Sequence, residues 1–214
     1  SRLAMDKAAS RRIFKRSGLN VPKSKVIKSI SGLAGITGNL KFPLVIKPAT
    51  HGSSIGFSII RSSAQLKKAI RYAMKFDRRV ILEEFIKGRE VTVGILEEKA
   101  LPVIEIIPKH SFFDYKSKYK KGLTKYIVPA RIPAKIEKEV KKHALMAHNL
   151  LGCKDFSRVD IIINEENKPY ILEINTIPGF TELSLLPKAA LHAGINFKNL
   201  CARLIELAYE KKQD

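Results

Sequence analysis

No apolar run in this 214-residue sequence approaches the roughly 18 to 20 residues that a membrane-spanning helix needs. The basic start Ser1-Arg2-Leu3 is not followed by the apolar core of a secretory signal either. No membrane partner is expected, and the cytoplasm is the expected location. Cysteine is nearly missing: Cys153 and Cys201 sit in separate apolar-patterned segments, with no CxxC and no Cys/His spacing, and read as reduced core thiols. Zinc-finger, RRM and KH signatures, internal repeats and low-complexity segments are all absent. Acidic residues are scarce, 20 against 40 Lys and Arg, giving a formal net charge of +20. The cations are spread along helix faces and interleaved with acids, as in Lys135-Ile-Glu-Lys-Glu-Val-Lys-Lys142. Such a surface is solvated and attracts anionic substrates; nucleic acid is not the expected partner.

What is present is a globular pattern of short strands and helices, with 45% hydrophobic residues to fill their cores. Asp6 to Ser17 reads as a helix stopped by Gly18, and its position directly after a non-Met first residue reads as the cut edge of a longer chain. Pro43 to Pro48 and Gly56 to Ile60 are β-branched runs flanking the glycine- and serine-rich His51-Gly-Ser-Ser-Ile-Gly56. Ser62 with Gln65 makes a capping-box pattern before a helix carrying Leu66, Ile70, Ala73 and Met74. Strands follow at Val80 to Glu84, Glu90 to Leu96 and Leu101 to Ile107. From His110 to Val128 periodicity fails, and a loop of that length in a compact domain is commonly functional. Pro133 then opens a helix ended by Gly152, two strands run over Val159 to Asn164 and Tyr170 to Thr176, and two helix-like stretches close the chain. Strand-to-strand links this short argue for an α+β fold with largely antiparallel sheets, and against a Rossmann fold. The glycine loop lacks the Gly-Lys-[Ser/Thr] ending of a P-loop and leads into a strand.

The sharpest chemical feature is Asp160 in Val159-Asp-Ile-Ile-Ile163, with Glu173 and Asn175 in Ile171-Leu-Glu-Ile-Asn175. Strict alternation puts Glu173 and Asn175 on one face, with Leu172 and Ile174 on the other. Carboxylates in apolar strands need a cation, and oxygen-only donors on neighbouring strands suit Mg²⁺; ion pairs such as Arg158 with Glu173 are the structural alternative. After Asn175 the segment Thr176-Ile-Pro-Gly179 turns from strand towards helix, and its amides can hold an oxyanion or a substrate carboxylate.

Glu173-Ile-Asn-Thr-Ile-Pro-Gly179, preceded by Ser157-Arg-Val-Asp160, resembles the metal-binding signature of the D-alanine:D-alanine ligases of the ATP-grasp superfamily. Met5-Asp-Lys7, Val45-Ile-Lys-Pro48, the His51 to Gly56 loop, Glu83-Glu-Phe-Ile86 with Gly88-Arg-Glu90, and Phe113-Asp-Tyr-Lys-Ser-Lys-Tyr119 fall in family order and spacing. The resemblance covers essentially the whole chain. It implies an ATP-grasp fold whose two subdomains grip ATP, here residues 1–88 with the flap and 89–214 with the metal and second-substrate site.

By the same resemblance, Lys7 and Lys47 face the nucleotide, Glu83, Phe85 and Ile86 border the adenine, and Glu90 takes the ribose. Gly52 to Gly56, with Ser54, covers the phosphates. Lys118 approaches the γ-phosphate, while Ser53 and Tyr119 hydrogen-bond to seal the cavity. Asp160, Glu173 and Asn175 hold two Mg²⁺ ions, with Mn²⁺ a possible substitute. Arg158 and the Gly179 amide stabilise the acyl phosphate and the tetrahedral oxyanion, and Ser184 and Leu185 contact the carboxylate of the second substrate. The implied reaction is ATP-dependent joining of two D-alanines for peptidoglycan synthesis; Tyr119 favours D-alanine as second substrate over D-lactate. A homodimer is usual in the family, and no side chain stands out as a base for the amine.

Three departures qualify that reading. The family's N-terminal domain, which orients the first D-alanine, is absent from these residues, so a fragment of a longer chain is expected. Thr50-His51 replaces a charged Arg-Glu pair, and Glu84 stands where lysine is common. An ATP-grasp ligase for a different carboxylate and amine, and a nucleotide-binding module without ligation, are the competing readings.

Overall fold

The computed structural model describes residues 2–30, 35–52, 55–108 and 124–210. Two helices open it, α1 (Arg2–Met5) and α2 (Lys7–Arg16). Asp6 lies outside the helical conformation and its carboxylate accepts the Ala8 and Ala9 amides at 3.1 and 3.0 Å, satisfying donors that a helix start leaves open.

The first sheet comprises β1 (Ser24–Ile27), β2 (Leu44–Pro48), β3 (Ser58–Ile60) and β4 (Val80–Glu84), in the order β1-β4-β2-β3 and antiparallel throughout. One turn of 3₁₀ helix (Ser63–Gln65) leads into α3 (Leu66–Met74), whose Leu66, Ala69, Ile70 and Ala73 pack on Leu44, Ile46 and Leu82. The expected capping box does not form. Ser62 makes no side-chain cap bond, and the Gln65 amide oxygen accepts the Arg61 N–H at 2.7 Å instead, because the first turn winds as 3₁₀.

The second sheet holds β5 (Gly88–Leu96), β6 (Lys99–Ala100), β7 (Ile104–Pro108), β8 (Thr124–Ile127), β9 (Phe156–Asn164) and β10 (Pro169–Asn175). Its order is β10-β9-β5-β7-β8, with β6 on β5, again antiparallel. On one face lies α4 (Ala134–Leu150), burying Val140, Ala144 and Ala147 against Val91, Val93, Val159 and Ile161. On the other lie α5 (Leu185–His192) and α6 (Phe197–Glu210), which bury Leu186 and Leu200 against Leu96, Leu101 and Ile104. Each such aliphatic side chain contributes about 1.5–3 kcal/mol on burial.

The second sheet starts at Gly88, which the expected division into 1–88 and 89–214 assigns to the first subdomain. The N-terminal helices do not follow that division: Ala4, Phe14 and Leu19 belong to the core under the second sheet, beside Ile171 and Ile174. Phe14 is completely buried there, so the apolar face of α2 reaches past the first sheet.

Gly88 itself marks a close approach of backbones. A Cβ at this position would fall inside contact distance of the Ile163 carbonyl oxygen and 2.8 Å from the Asn164 Cα, which no rotamer change relieves. Gly88→Ala is therefore expected to destabilise the fold by about 3 kcal/mol, read as a lower urea midpoint. An unchanged midpoint would mean that β5 and β9 do not pair at that end.

Candidate active site

A cleft of about 880 Å³ runs between the two sheets. The first sheet and the segment after it contribute Lys47, Glu83, Phe85 and Ile86; α2 contributes Lys7; the second sheet contributes Glu90, Asp160 and Glu173. Period-two alternation explains the second sheet's share. On β5 and β9 the odd positions Val91, Val93, Val159 and Ile161 go to the core, so Glu90, Thr92, Arg158 and Asp160 fall on the opposite face.

On β10 strict alternation breaks. Ile171 pairs with Ile161 but Glu173 pairs with Asp160, which leaves Leu172 as the extra residue of a β-bulge. Ile171 and Ile174 are both in the core, whereas Leu172 and Glu173 both line the cleft. The sequence expectation that Leu172 and Ile174 share a face is thus corrected. The bulge sets Glu173 directly across from Asp160.

Asp160 is buried and heavily bonded. Arg158 grips it with Nε at 3.0 Å and Nη2 at 2.9 Å, the Thr92 hydroxyl donates at 2.6 Å, and Asn175 Nδ2 donates at 3.1 Å. Burial pulls the Arg158 guanidinium down, but Asp160, then Glu173 and Glu90, more than offset this and hold it firmly charged. Arg158 pairs with Asp160 rather than with Glu173 as the ion-pair alternative had it; Glu173 instead receives Lys7 Nζ at 3.2 Å.

At the other wall Glu83, 3% exposed, is held between Lys47 Nζ at 2.9 Å and the Arg11 guanidinium. Burial alone would raise the Glu83 carboxyl; Arg11 and Lys47 outweigh it and bring the pKa below the ordinary carboxylate value. Burial also pushes the Lys47 ammonium down to about 8, with Glu83 resisting and Arg11 adding to the fall.

The flap base is anchored by the residues that depart from the family pattern. Thr50 donates its N–H and its hydroxyl to Asp77 Oδ2 at 3.0 and 2.7 Å, and the His51 carbonyl accepts Lys7 Nζ at 2.8 Å. Gly56 closes the loop at φ +70°, where a Cβ would strike Pro48 and Phe76. Glu84 is turned towards the residue before β1, accepting the Lys23 N–H at 2.8 Å. Ser53 and Ser54 of the flap, and Lys118 and Tyr119 of the long loop, lie outside the described residues.

Gly179, Ser184 and Leu185 do not line the cleft but form a second cluster beyond the end of β10. A Cβ on Gly179 would sit 3.2 Å from Ser184 Oγ, which accepts the Thr181 N–H at 3.0 Å, and the Leu185 side chain packs on the core under α5.

Sequence reasoning missed Arg11, Thr92 and the Arg89–Glu105 fork, two bonds of 2.7 Å at the cleft rim. A signal for Arg11 was available. Lys7, Ser10, Arg11 and Phe14 share the buried face of α2, and cations on an apolar helix face need anions to meet.

Among the described residues no three of His, Cys, Asp or Glu converge on a metal position. The donor set is two in-register carboxylates and one amide, all capable of offering oxygen. That fits a hard cation whose remaining ligands are waters and phosphate oxygens.

Two antiparallel sheets closing on a lysine-and-carboxylate cleft, with His51, Gly52 and Ile55 of the glycine-rich segment in its lining, define an ATP-grasp ligase. The family D-ala D-ala ligase C-terminus matches residues 13–206. The D-alanine–D-alanine ligase of Geotalea uraniireducens is 43% identical over 208 residues, 97% of this chain and 67% of the relative. That of Methylacidiphilum infernorum is 44% identical over 211 residues, 98% and 67%. Among solved structures, the Bacillus anthracis D-alanine–D-alanine ligase complexed with ATP superposes with a TM-score of 0.84 at 33% identity, covering 99% of this chain and 68% of that one. The VanG D-Ala:D-Ser ligase of Enterococcus faecalis gives 0.85 at 36% identity, covering 96% and 62%. The chain belongs to the D-alanine:D-alanine ligase family and spans about two thirds of the length of these relatives.

Proposed function

We propose that these residues carry the nucleotide, metal and second-substrate parts of an enzyme that joins two D-alanines at the expense of ATP. The observation that carries this reading is the meeting of Lys7, Lys47 and Glu83 with Asp160 and Glu173 in one cleft. Lys47 supplies charge to the phosphates, Glu83, Phe85 and Ile86 border the base, and Glu90 takes the ribose. Asp160, Glu173 and Asn175 would hold two Mg²⁺ ions, which when bound neutralise phosphate charge. Arg158, fixed by its fork on Asp160, and the Gly179 amide face negative charge developing on the acyl phosphate and the oxyanion. Ser184 and the Leu185 amide, at the start of α5, receive the second substrate's carboxylate. Ser53, Ser54, Lys118 and Tyr119 would cover the phosphates and exclude water, which otherwise hydrolyses an acyl phosphate. Residues 1–88 and 89–214 would work as the two jaws of one enzyme, as a cytoplasmic homodimer. The half-site for the first D-alanine would come from an N-terminal domain. Among the described residues no helix is long and apolar enough to cross a membrane.

The VanG likeness favours one second reading, with D-serine as the amine substrate. A panel of D-alanine, D-serine, D-lactate and L-alanine, scored by phosphate release from the chain supplied with the N-terminal domain, separates the two. The reading expects D-alanine to dominate; ATP binding without D-alanine-dependent turnover would remove it.

The charge on Lys47 sets a pH limit. Nucleotide affinity is expected to be level in the neutral range and to fall as pH rises through about 8, as titration calorimetry would record. Unfolding is not the cause in that window. The folded pKa lies below the ordinary 10.5, so between about 8 and 10.5 the unfolded chain binds more protons and the fold gains stability as pH rises. Affinity that holds through this range would take Lys47 off the phosphates.

A further inference from the structure

We infer that Arg11 is the standing counter-ion of Glu83, a positioning residue that lets Lys47 leave Glu83 for a nucleotide phosphate without stranding a buried carboxylate. The inference rests on the nucleotide site proposed above.

Glu83 has a separate cation on each oxygen, Lys47 on Oε1 and Arg11 on Oε2. The two are held differently. Arg11 is fixed on both sides, since Nε and Nη2 also donate to the Leu172 carbonyl at 3.3 and 3.1 Å while Nη1 meets Glu83. Glu83 is the one ion-pair partner of Lys47 among the described residues, and Lys47 lines the cleft, its side chain 13% exposed against 4% for Arg11. Lys7 is already committed to Glu173 and to the His51 carbonyl. Of these three cations, Lys47 is therefore the one with room to move.

The charges decide what the movement needs. Lys47 and Arg11 together exceed Glu83 by one positive charge, which an anion in the cleft would cancel. With Arg11 absent, drawing Lys47 to a phosphate would leave Glu83 buried and unpaired, a state that proteins avoid strongly. A guanidinium suits the standing role, because it stays charged and its planar fork serves two acceptors at once. Its second acceptor is the bulge residue before Glu173, so one side chain also spaces the nucleotide wall from the Glu173 wall.

The test is Mg-ATP binding by titration calorimetry on the native chain and on Arg11→Met, Arg11→Lys, Glu83→Gln and Arg11→Met/Glu83→Gln, each checked by thermal melting. Arg11→Met is expected to weaken ATP about tenfold or more near neutral pH, because Lys47 is then tied to Glu83. Arg11→Lys recovers part of that loss. In the Glu83→Gln background, removing Arg11 should change affinity by less than about twofold, since no carboxylate is left to strand. Among the described residues the charged groups facing Lys47 are Glu83 from β4, Arg11 from α2 and Glu173 from β10, so loss of Arg11 should also carry the alkaline limit above the one expected near 8. Should Arg11→Met fail to fold, the lysine variant and the double variant carry the test. A folded Arg11→Met with native affinity and native alkaline limit would overturn the inference, as would an equal loss in the Glu83→Gln background. A double variant that also fails to fold would assign Arg11 to the Leu172 carbonyl alone and overturn it too. A native chain that binds no ATP fails the nucleotide reading itself, before any variant is compared.

Discussion

Glu173→Gln is expected to lower Mg²⁺-dependent ATP turnover by roughly a hundredfold or more while the melting temperature stays close to native. The two effects separate because of what glutamine keeps. Its amide oxygen still accepts from Lys7 Nζ, now at 3.2 Å from the carboxylate, and its volume suits the bulge. What it removes is one of the two carboxylate charges that stand in register across β9 and β10. A fold held within about 1 kcal/mol of native is the expected cost of trading a charged for a neutral acceptor at a partly exposed site. Unchanged turnover would take Glu173 out of the phosphate-facing set. A large drop in melting temperature would make it chiefly the partner of Lys7.

Asp160→Ala should be the costliest substitution for stability in the site, about 3–5 kcal/mol by urea unfolding. Four donated hydrogen bonds end on this one carboxylate, two of them from Arg158. Truncation leaves the guanidinium facing a void, with Glu173 and Glu90 acting only at longer range, while the Thr92 hydroxyl keeps the Val159 carbonyl at 3.1 Å. Against a total stability of about 5–15 kcal/mol, that is a large fraction. Asp160→Asn keeps the shape and some bonds, and should cost about half as much. A loss below about 1 kcal/mol for the alanine variant would mean that Arg158 finds another anion.

Much of this was legible in the sequence because the signals are local. β-branched runs mark β2, β4, β5 and β9, the glycine loop separates β2 from β3, and Gly152 ends α4 in the left-handed region at φ +60°. The short links between strands gave the antiparallel sheets. The strands that escaped notice carry little signal of their own. Three of the four residues of β1 are exposed, β6 is two residues long, and β8 (Thr124–Ile127) lies inside the stretch from His110 to Val128, expected as loop because periodicity fails there.

The site was legible as a set of residues and illegible as a network. The resemblance singles out Lys47 and Glu83, and carboxylates in apolar strands single out Asp160 and Glu173, but their partners lie far along the chain: Arg11 reaches Glu83 across 72 positions and Leu172 across 161. Periodicity cannot register one extra residue, so the bulge at Leu172 stayed hidden and with it the true face of Leu172. Thr50 illustrates a third case. It departs from the family pattern, yet its bonds to Asp77, 27 positions on, hold the base of the flap by other means.

Ligation through an acyl phosphate leaves its mark on the oxygen atoms. With the chain joined to the N-terminal domain and supplied with Mg-ATP and D-alanine labelled with oxygen-18 in its carboxylate, one labelled oxygen per dipeptide should appear in inorganic phosphate. That oxygen attacks the γ-phosphorus first and leaves with phosphate when the second amine takes the carbonyl. D-alanyl-D-alanine and ADP should accumulate together. Phosphate free of label, or ADP formed at the same rate without D-alanine, would contradict the account.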